Sequence, residues 1–270
     1  MSVWQAIFLG IVQGVTEFLP ISSSGHLVVL QRVMGMEEPK LTFDIIVHVG
    51  TLVSILVFFW KDIWALMKNP FTKMTGLLVV ATLPVVISGF FLRDVVENQL
   101  RTPWLLALAF IITGILMVTA DYLTKRPGRP SPGKSDRDIT YLDALIVGVM
   151  QAMALPPGIS RSGTTLTAAL GRGLRRETAT RFIFFMALIA IAGAGALEAS
   201  DLVRGNTEAI EYIGFLPLAA GFVFSALVGY LSIGLLLKLL KVAKLKYFSY
   251  YVWALAGFIL LDAAVLNIFW

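Results

Sequence analysis

QGVTEFLPISSSGH, residues 13–26, is said a second time at residues 151–164 as QAMALPPGISRSGT. Setting Gln13 over Gln151, an offset of 138, also superimposes Ile21 on Ile159, Ser22 on Ser160, Ser24 on Ser162 and Gly25 on Gly163, with proline shortly before each serine cluster. Both phrases are polar and proline-broken, in a chain that is 57% hydrophobic and 14% charged with a mean hydropathy of +0.82. Soluble domains carry about a quarter charged residues, so this composition belongs to an integral membrane protein. Two polar breaks in register imply one unit used twice, with both breaks folded to one place.

Each phrase is flanked by apolar runs too short to cross a bilayer. Val3–Val15 has 13 residues, against about 20 for the hydrocarbon core. Pro20 cannot continue its helix, and Ser22, Ser23 and Ser24 are good N-caps for the short apolar stretch Leu27–Met34. Short helix, polar break, short helix is a re-entrant hairpin, here spanning 3–35. The second phrase repeats the pattern, with a helix at 141–155, a short apolar run at 166–170 and a hairpin spanning 141–171. The N-terminal sequence lacks the basic start of a cleaved signal, so the first helix is expected to belong to the mature fold.

Six ordinary spans remain: 41–60, 75–92, 103–120, 179–197, 213–237 and 248–269. A hydrophilic Pro/Gly/Lys/Arg-rich linker, taken as 121–140, joins a first repeat, 1–120, to a second, 141–270. If both hairpins return to the side they enter from, 16 Lys and Arg gather on one side, in the loops after 60, 120, 171 and 237, against 5 on the other: Arg32, Lys40, Arg93, Arg101 and Arg204. If each phrase crosses once, the split is 12 to 9. The positive-inside rule prefers the first arrangement. The expected fold is therefore all-α: six transmembrane helices and two re-entrant hairpins in an inverted-topology repeat. The linker is then cytoplasmic, and the breaks face each other near the midplane.

Ionisable residues inside a membrane mark function or an internal partner. The phrases hold Glu17, His26 and Arg161, surrounded by Gln13, Ser22, Ser23, Ser24, Ser160, Ser162, Thr164 and Thr165. Helices that begin at the serine clusters aim free N–H groups and positive dipole ends at one cavity; with a guanidinium, that is a phosphate site. Carboxylate, imidazole and hydroxyl add the general acid, base and nucleophile of phosphoryl transfer. Blander readings stand beside these: the serines as simple N-caps, and Glu17 with Arg161 as a structural ion pair. His48, outside both phrases, is read as a packing or supporting residue near Asp44. Asp262 is read as a helix-end or interhelical hydrogen-bonding group, and Gly10 and Gly14 as a close-packing pair. The absence of cysteine excludes thiolate chemistry. The formal charge of +5 is explained by cytoplasmic loops and membrane lipids without a nucleic-acid partner.

At these residues the sequence resembles the undecaprenyl-diphosphatase family, the bacitracin-resistance membrane phosphatases of bacteria. Its first signature is matched by Gln13, Glu17 and the run Phe18-Leu19-Pro20-Ile21-Ser22-Ser23-Ser24-Gly25-His26. The second is matched by the run Pro157-Gly158-Ile159-Ser160-Arg161-Ser162-Gly163-Thr164-Thr165. The resemblance implies hydrolysis of a polyprenyl diphosphate to the monophosphate and phosphate, recycling the carrier lipid of cell-wall synthesis. It also implies a site open to the outer face of the bacterial cytoplasmic membrane. By residue, it implies that Arg161 grips the diphosphate, that Glu17 and His26 do acid–base or metal-linked work, and that Ser23 is a candidate nucleophile. Ser160, Ser162 and Thr165 would bind phosphate, with Gln13 and Ser22 beside them. A Mg²⁺ or Ca²⁺ dependence, with Glu17 as a ligand, is likewise implied; Gln13 stands where a second glutamate is frequent, which removes one carboxylate from such a site.

The rival class is a transporter that flips polyprenyl phosphate through the same inverted-repeat site. The acid, imidazole and hydroxyl set favours an enzyme, since a flippase needs no nucleophile. A purely structural scaffold leaves the polar phrases unexplained. Oligomeric state is open, a homo-oligomer included.

Overall fold

The computed structural model describes residues 1–36, 41–98, 102–125, 133–203, 212–242 and 244–270. Among them there is no strand beyond one isolated bridge between Lys134 and Leu174. The helices are α1 (Val3–Thr16), α2 (Ser23–Val33), α3 (Leu41–Phe58), α4 (Trp60–Lys68), α5 (Lys73–Asn98), α6 (Pro103–Lys125), α7 (Tyr141–Ala152), α8 (Arg161–Gly171), α9 (Arg176–Val203), α10 (Phe215–Val242) and α11 (Lys246–Leu261). A π-helical turn, Asp262–Leu266, follows the last helix.

Five of these, α5, α6, α9, α10 and α11, are long and apolar enough to cross a membrane. The span expected at 41–60 is α3, which turns by 79° at Phe59 into α4; taken as one bent pair they make a sixth candidate. Large side chains such as Phe90 (82% exposed) and Leu231 (70%) point outward from these helices. In water that would be costly; against lipid tails it is the normal surface. The chain is a multi-pass membrane protein.

The phrases break their helices as the prolines and serines require. α1 stops at Thr16 and α2 starts at Ser23, while α7 stops at Ala152 and α8 starts at Arg161. Both second helices begin several residues earlier than their apolar runs, because the polar serine turn itself is helical. α6 also runs through Lys125, so the linker begins later than its composition suggests: Asp121 is buried in the helix, where its carboxylate accepts the Leu245 amide at 3.1 Å. The linker charges Arg126 and Arg129, together with Lys40, Arg101 and Arg204, lie outside the described residues.

Small residues set the packing. A Cβ on Gly10 would sit 2.6 Å from the Gly221 carbonyl oxygen, and one on Gly14 would sit 2.8 Å from Gly229 N, so α1 and α10 touch backbone to backbone, as the GxxxG spacing implies. Gly148, 138 residues after Gly10, does the same for α7 on α5: its Cβ would meet the Ala81 carbonyl oxygen at 2.3 Å. Several other helix contacts pair in the same way. When each helix of the first half is exchanged for its counterpart in the second, the contacts α1–α10 and α3–α10 become α7–α5 and α9–α5. The contacts α6–α11 and α3–α9 map onto themselves.

Three connecting segments meet at one end: the one between α3 and α5, the linker before α7 and the one between α8 and α9. Arg181 pairs with Asp62 and reaches Asp136 at 3.2 Å. Lys73 donates to the Arg137 carbonyl at 2.7 Å. Lys134 and Arg172 hold the buried Asp143 carboxylate at 2.7 and 2.6 Å. At the other terminus of the last helix, Asp262 accepts the amides of Ile268, Phe269 and Trp270 at 3.1–3.2 Å, the helix-end role expected of it.

Candidate active site

The site is built from the two helix breaks. Glu17 is the residue that ends α1, one turn after Gln13, so helical spacing alone stacks the two side chains, and Gln13 Nε2 donates to Glu17 Oε2 at 2.8 Å. Phe18 and Ile21 anchor the following turn in the core. Ser22 then adopts φ 69°, a left-handed conformation that costs a non-glycine residue about 1 kcal/mol or more and persists where surrounding contacts hold it. That turn makes Ser22 the N-cap of α2, its Oγ accepting Gly25 N–H at 3.4 Å, and makes Ser23 the first helical residue. Ser23 Oγ donates to Glu17 Oε2 at 2.5 Å.

The second break repeats this with different outcomes. Ser160 caps α8, its Oγ accepting Gly163 N–H at 3.1 Å, and its hydroxyl lies 3.2 Å from Ser162 Oγ. Thr113 of α6 pins the turn, donating to the Gly158 carbonyl and accepting Ser160 N–H, both at 2.9 Å. Gly158 has φ +94°, and a Cβ there would lie 2.7 Å from that of Ala109, so only glycine fits.

The two breaks touch. A Cβ on Gly25 would meet Gly158 Cα at 2.9 Å, and Ser162 Oγ donates to the Leu19 carbonyl at 3.0 Å. Arg161 bonds through Nη2 to Glu17 Oε1. The Glu17 side chain is 3% exposed and that of Arg161 26%. An unpaired carboxylate at that depth would cost several kcal/mol. Here Oε1 has the guanidinium, while Oε2 has Gln13, Ser23 and a further partner, His48 Nε2 at 3.3 Å.

The structure therefore joins Gln13, Glu17, Ser23 and Arg161, and it adds His48, expected as a packing or supporting residue, as a direct neighbour of Glu17. A one-turn spacing from Asp44 on α3 gave no sign that the ring would face α1; the rule that membrane-buried ionisable groups are functional was the available signal. Ser162 and Thr165 line a pocket with Glu17 and Arg161, although the Thr165 hydroxyl also bonds back to the Arg161 carbonyl at 2.8 Å. His26 is placed differently. Its Nδ1 donates to the Ser22 carbonyl at 2.6 Å, and its Nε2 meets the hydroxyl of Tyr251, 2.8 Å away, whose ring stacks on it while Phe110 packs edge-on. Tyr251 and Thr113 are site neighbours that sequence reasoning missed; each comes from a helix far along the chain.

The pocket is lined by the polar side chains of Glu17, Arg161, Ser162 and Thr165 and by apolar ones, among them Phe184 of α9 and Leu236 of α10. A divalent cation fits poorly there. Mg²⁺ and Ca²⁺ take six or more oxygen ligands. Among the described residues no three His, Asp or Glu side chains are placed to hold a metal. Both Glu17 oxygens already have partners, one of them a guanidinium, and the buried, unpartnered Gln13 Oε1 adds a single further oxygen. The donor set does not make a dedicated metal site.

Comparison with known proteins gives a consistent picture. The protein-family model described as bacitracin resistance protein BacA matches residues 6–258. The chain is 42% identical over 260 residues to the undecaprenyl-diphosphatase of Carboxydothermus hydrogenoformans, covering 96% of this chain and 97% of that protein. It is 40% identical over 265 residues to undecaprenyl-diphosphatase 4 of Bacillus thuringiensis subsp. konkukian, with 98% of both chains covered. It is 36% identical over 267 residues to the undecaprenyl-diphosphatase of Halothermothrix orenii, covering 98% of this chain and all of that protein.

Proposed function

The chain belongs to the bacitracin resistance protein BacA family, and on that footing we propose that it hydrolyses undecaprenyl diphosphate to undecaprenyl phosphate and inorganic phosphate, returning the carrier lipid to cell-wall synthesis. The observation that carries the chemistry is Ser23 Oγ donating to Glu17 Oε2 at 2.5 Å, with Arg161 on the other carboxylate oxygen. Ser23 Oγ attacks the terminal phosphorus and its proton passes to Glu17. The bond from that phosphorus to the bridging oxygen breaks, and undecaprenyl phosphate leaves with the electron pair and takes the proton from Glu17. Water then attacks the phosphoserine, its proton passing to the regenerated Glu17 carboxylate; as the P–Oγ bond breaks, Glu17 returns that proton to Ser23 Oγ and inorganic phosphate leaves. Arg161 and the N-termini of α2 and α8 hold the charge on the transferring group. Ser160, Ser162, Thr165, Gln13 and Ser22 shape the anion site, and His26 serves acid–base work from the Tyr251 side.

Purified protein in detergent should release phosphate from undecaprenyl diphosphate with no membrane to cross; no release would favour a transporter. Quenched reactions should yield a phosphopeptide carrying Ser23, and full activity of Ser23→Ala would assign the attack to water.

We also propose the inverted repeat, 1–120 and 141–270, in the bacterial inner membrane with the site open to the outer face. Contacts that exchange between the halves support the repeat. The ion pair Asp62–Arg181 and the bond between Asp121 and Leu245 support hairpins that return, since single crossings would put those partners on opposite sides. The positive-inside rule makes that end cytoplasmic. Because the chain has no cysteine, single cysteines at Lys61 and Arg32 can be labelled cleanly. In intact cells an impermeant maleimide should reach position 32 and spare position 61; the reverse pattern would overturn the orientation.

A further inference from the structure

Resting on the phosphatase reading above, the geometry points to His48 as a positioning residue for the reaction, holding Glu17 Oε2 against Ser23 while Arg161 is engaged by the diphosphate. His48 Nδ1 lies 2.6 Å from the Asp44 carbonyl oxygen, which can only accept, so Nδ1 carries a proton. Nε2 faces Glu17 Oε2 at 3.3 Å, and two acceptors would repel there, so the contact is attractive only with a proton between them. His48 therefore meets Glu17 as an N–H donor.

The ring is held from several directions. Its Nδ1 bond ties it one turn back along α3, and the Asp44 side chain accepts Gln31 Nε2 of α2 at 2.6 Å, linking the helix of His48 to the helix of Ser23. α3 is seated on α10 at Gly50, where a Cβ would lie 2.5 Å from the Phe222 carbonyl oxygen, so the helix has little room to slide. Glu17 is thus gripped on Oε1 by Arg161 and on Oε2 by Gln13, Ser23 and His48. A bound diphosphate competes with Glu17 for the Arg161 N–H groups. When it draws them away, Gln13 supports the carboxylate from its own helix and His48 from across the site. Only the second comes from another helix, α3, so it holds the carboxylate in place when the end of α1 shifts.

The test compares His48→Gln with His48→Met, two unbranched, helix-compatible side chains of similar length, of which only the first has an N–H to offer Oε2. With undecaprenyl diphosphate in detergent, His48→Met should lose about ten- to a hundredfold in kcat with KM within about twofold of wild type, and His48→Gln should regain about tenfold. Equal kcat in the two variants, or wild-type kcat in His48→Met, overturns the inference. Thermal unfolding checks that both are folded. If the Met variant is not, His48→Gln decides alone: kcat within about tenfold of wild type supports the inference and a loss beyond about a hundredfold overturns it. Wild-type protein that releases no phosphate would instead overturn the phosphatase reading itself.

Discussion

Replacing Glu17 with glutamine should separate catalysis from stability. The carboxylate accepts on both oxygens: Oε1 from Arg161, and Oε2 from Gln13 Nε2, Ser23 Oγ and His48 Nε2. A glutamine must put its NH₂ at one of these positions and so face a donor. The lesser conflict places the amide oxygen among the three donors and the NH₂ against Arg161. Breaking a fully buried ion pair costs about 3–5 kcal/mol. The Arg161 side chain is 26% exposed and lines the pocket, so it can turn toward water, while the desolvation of Glu17 is relieved; the net loss should be nearer 1–2 kcal/mol. Removal of the base that takes the Ser23 proton should lower kcat about a thousandfold, equivalent to about 4 kcal/mol of barrier. Phosphate release at saturating undecaprenyl diphosphate, read beside thermal unfolding of the same preparation, measures both. A folded Glu17→Gln protein with kcat within tenfold of wild type would refute the assignment of Glu17 as the base.

Arg161→Lys should lose about ten- to a hundredfold in kcat/KM, because an ammonium cannot present the guanidinium's paired donors to a phosphate; a wild-type value would show that charge alone suffices. Gly148→Ala should cost about 1–3 kcal/mol in unfolding free energy, since its Cβ would sit 2.3 Å from a backbone oxygen, whereas Gly89→Ala, with open space around it, should be neutral; equal melting temperatures for the two would refute the packing. Burial works to raise the Asp143 carboxyl, but Lys134, Thr140 and Arg172 outweigh it and hold it well below the usual carboxylate range. A depressed folded-state value adds stability above the ordinary carboxylate range that fades as pH falls toward the folded value. The melting-temperature gap between wild type and Asp143→Asn should therefore be widest near neutrality and narrow in acid; a gap independent of pH would refute it.

Much of the site was legible because its elements are local. Proline and serine dictate where helices stop and start, so Pro20 and Ser22, and the matching turn at Ser160, marked both breaks. The 138-residue offset said that they belong together. The stacking of Gln13 on Glu17 follows from one helical turn, and the Gly10 and Gly14 contact from the need of membrane helices to pack through small residues. What escaped depends on the rotation of one helix against another. Tyr251 occupies His26 Nε2 from a helix 225 residues away, and no periodicity in α11 marks that side of it. The 79° turn after Phe58 likewise has no proline or glycine at Phe59 to announce it.

Sequence alone established a membrane protein with two related polar breaks, the residue types of phosphoryl transfer within them, and a family resemblance, because composition, helix breaking and motif spacing are properties of adjacent residues. Tertiary packing settled which of those residues touch. It placed Ser23 and Arg161 on opposite oxygens of one carboxylate, turned His26 toward Tyr251, and brought His48 in from α3. The reason is geometric. A buried carboxylate must collect donors from whatever helices surround it, and which helices do so is fixed by close backbone contacts such as Gly10 on Gly221, far from the motifs themselves.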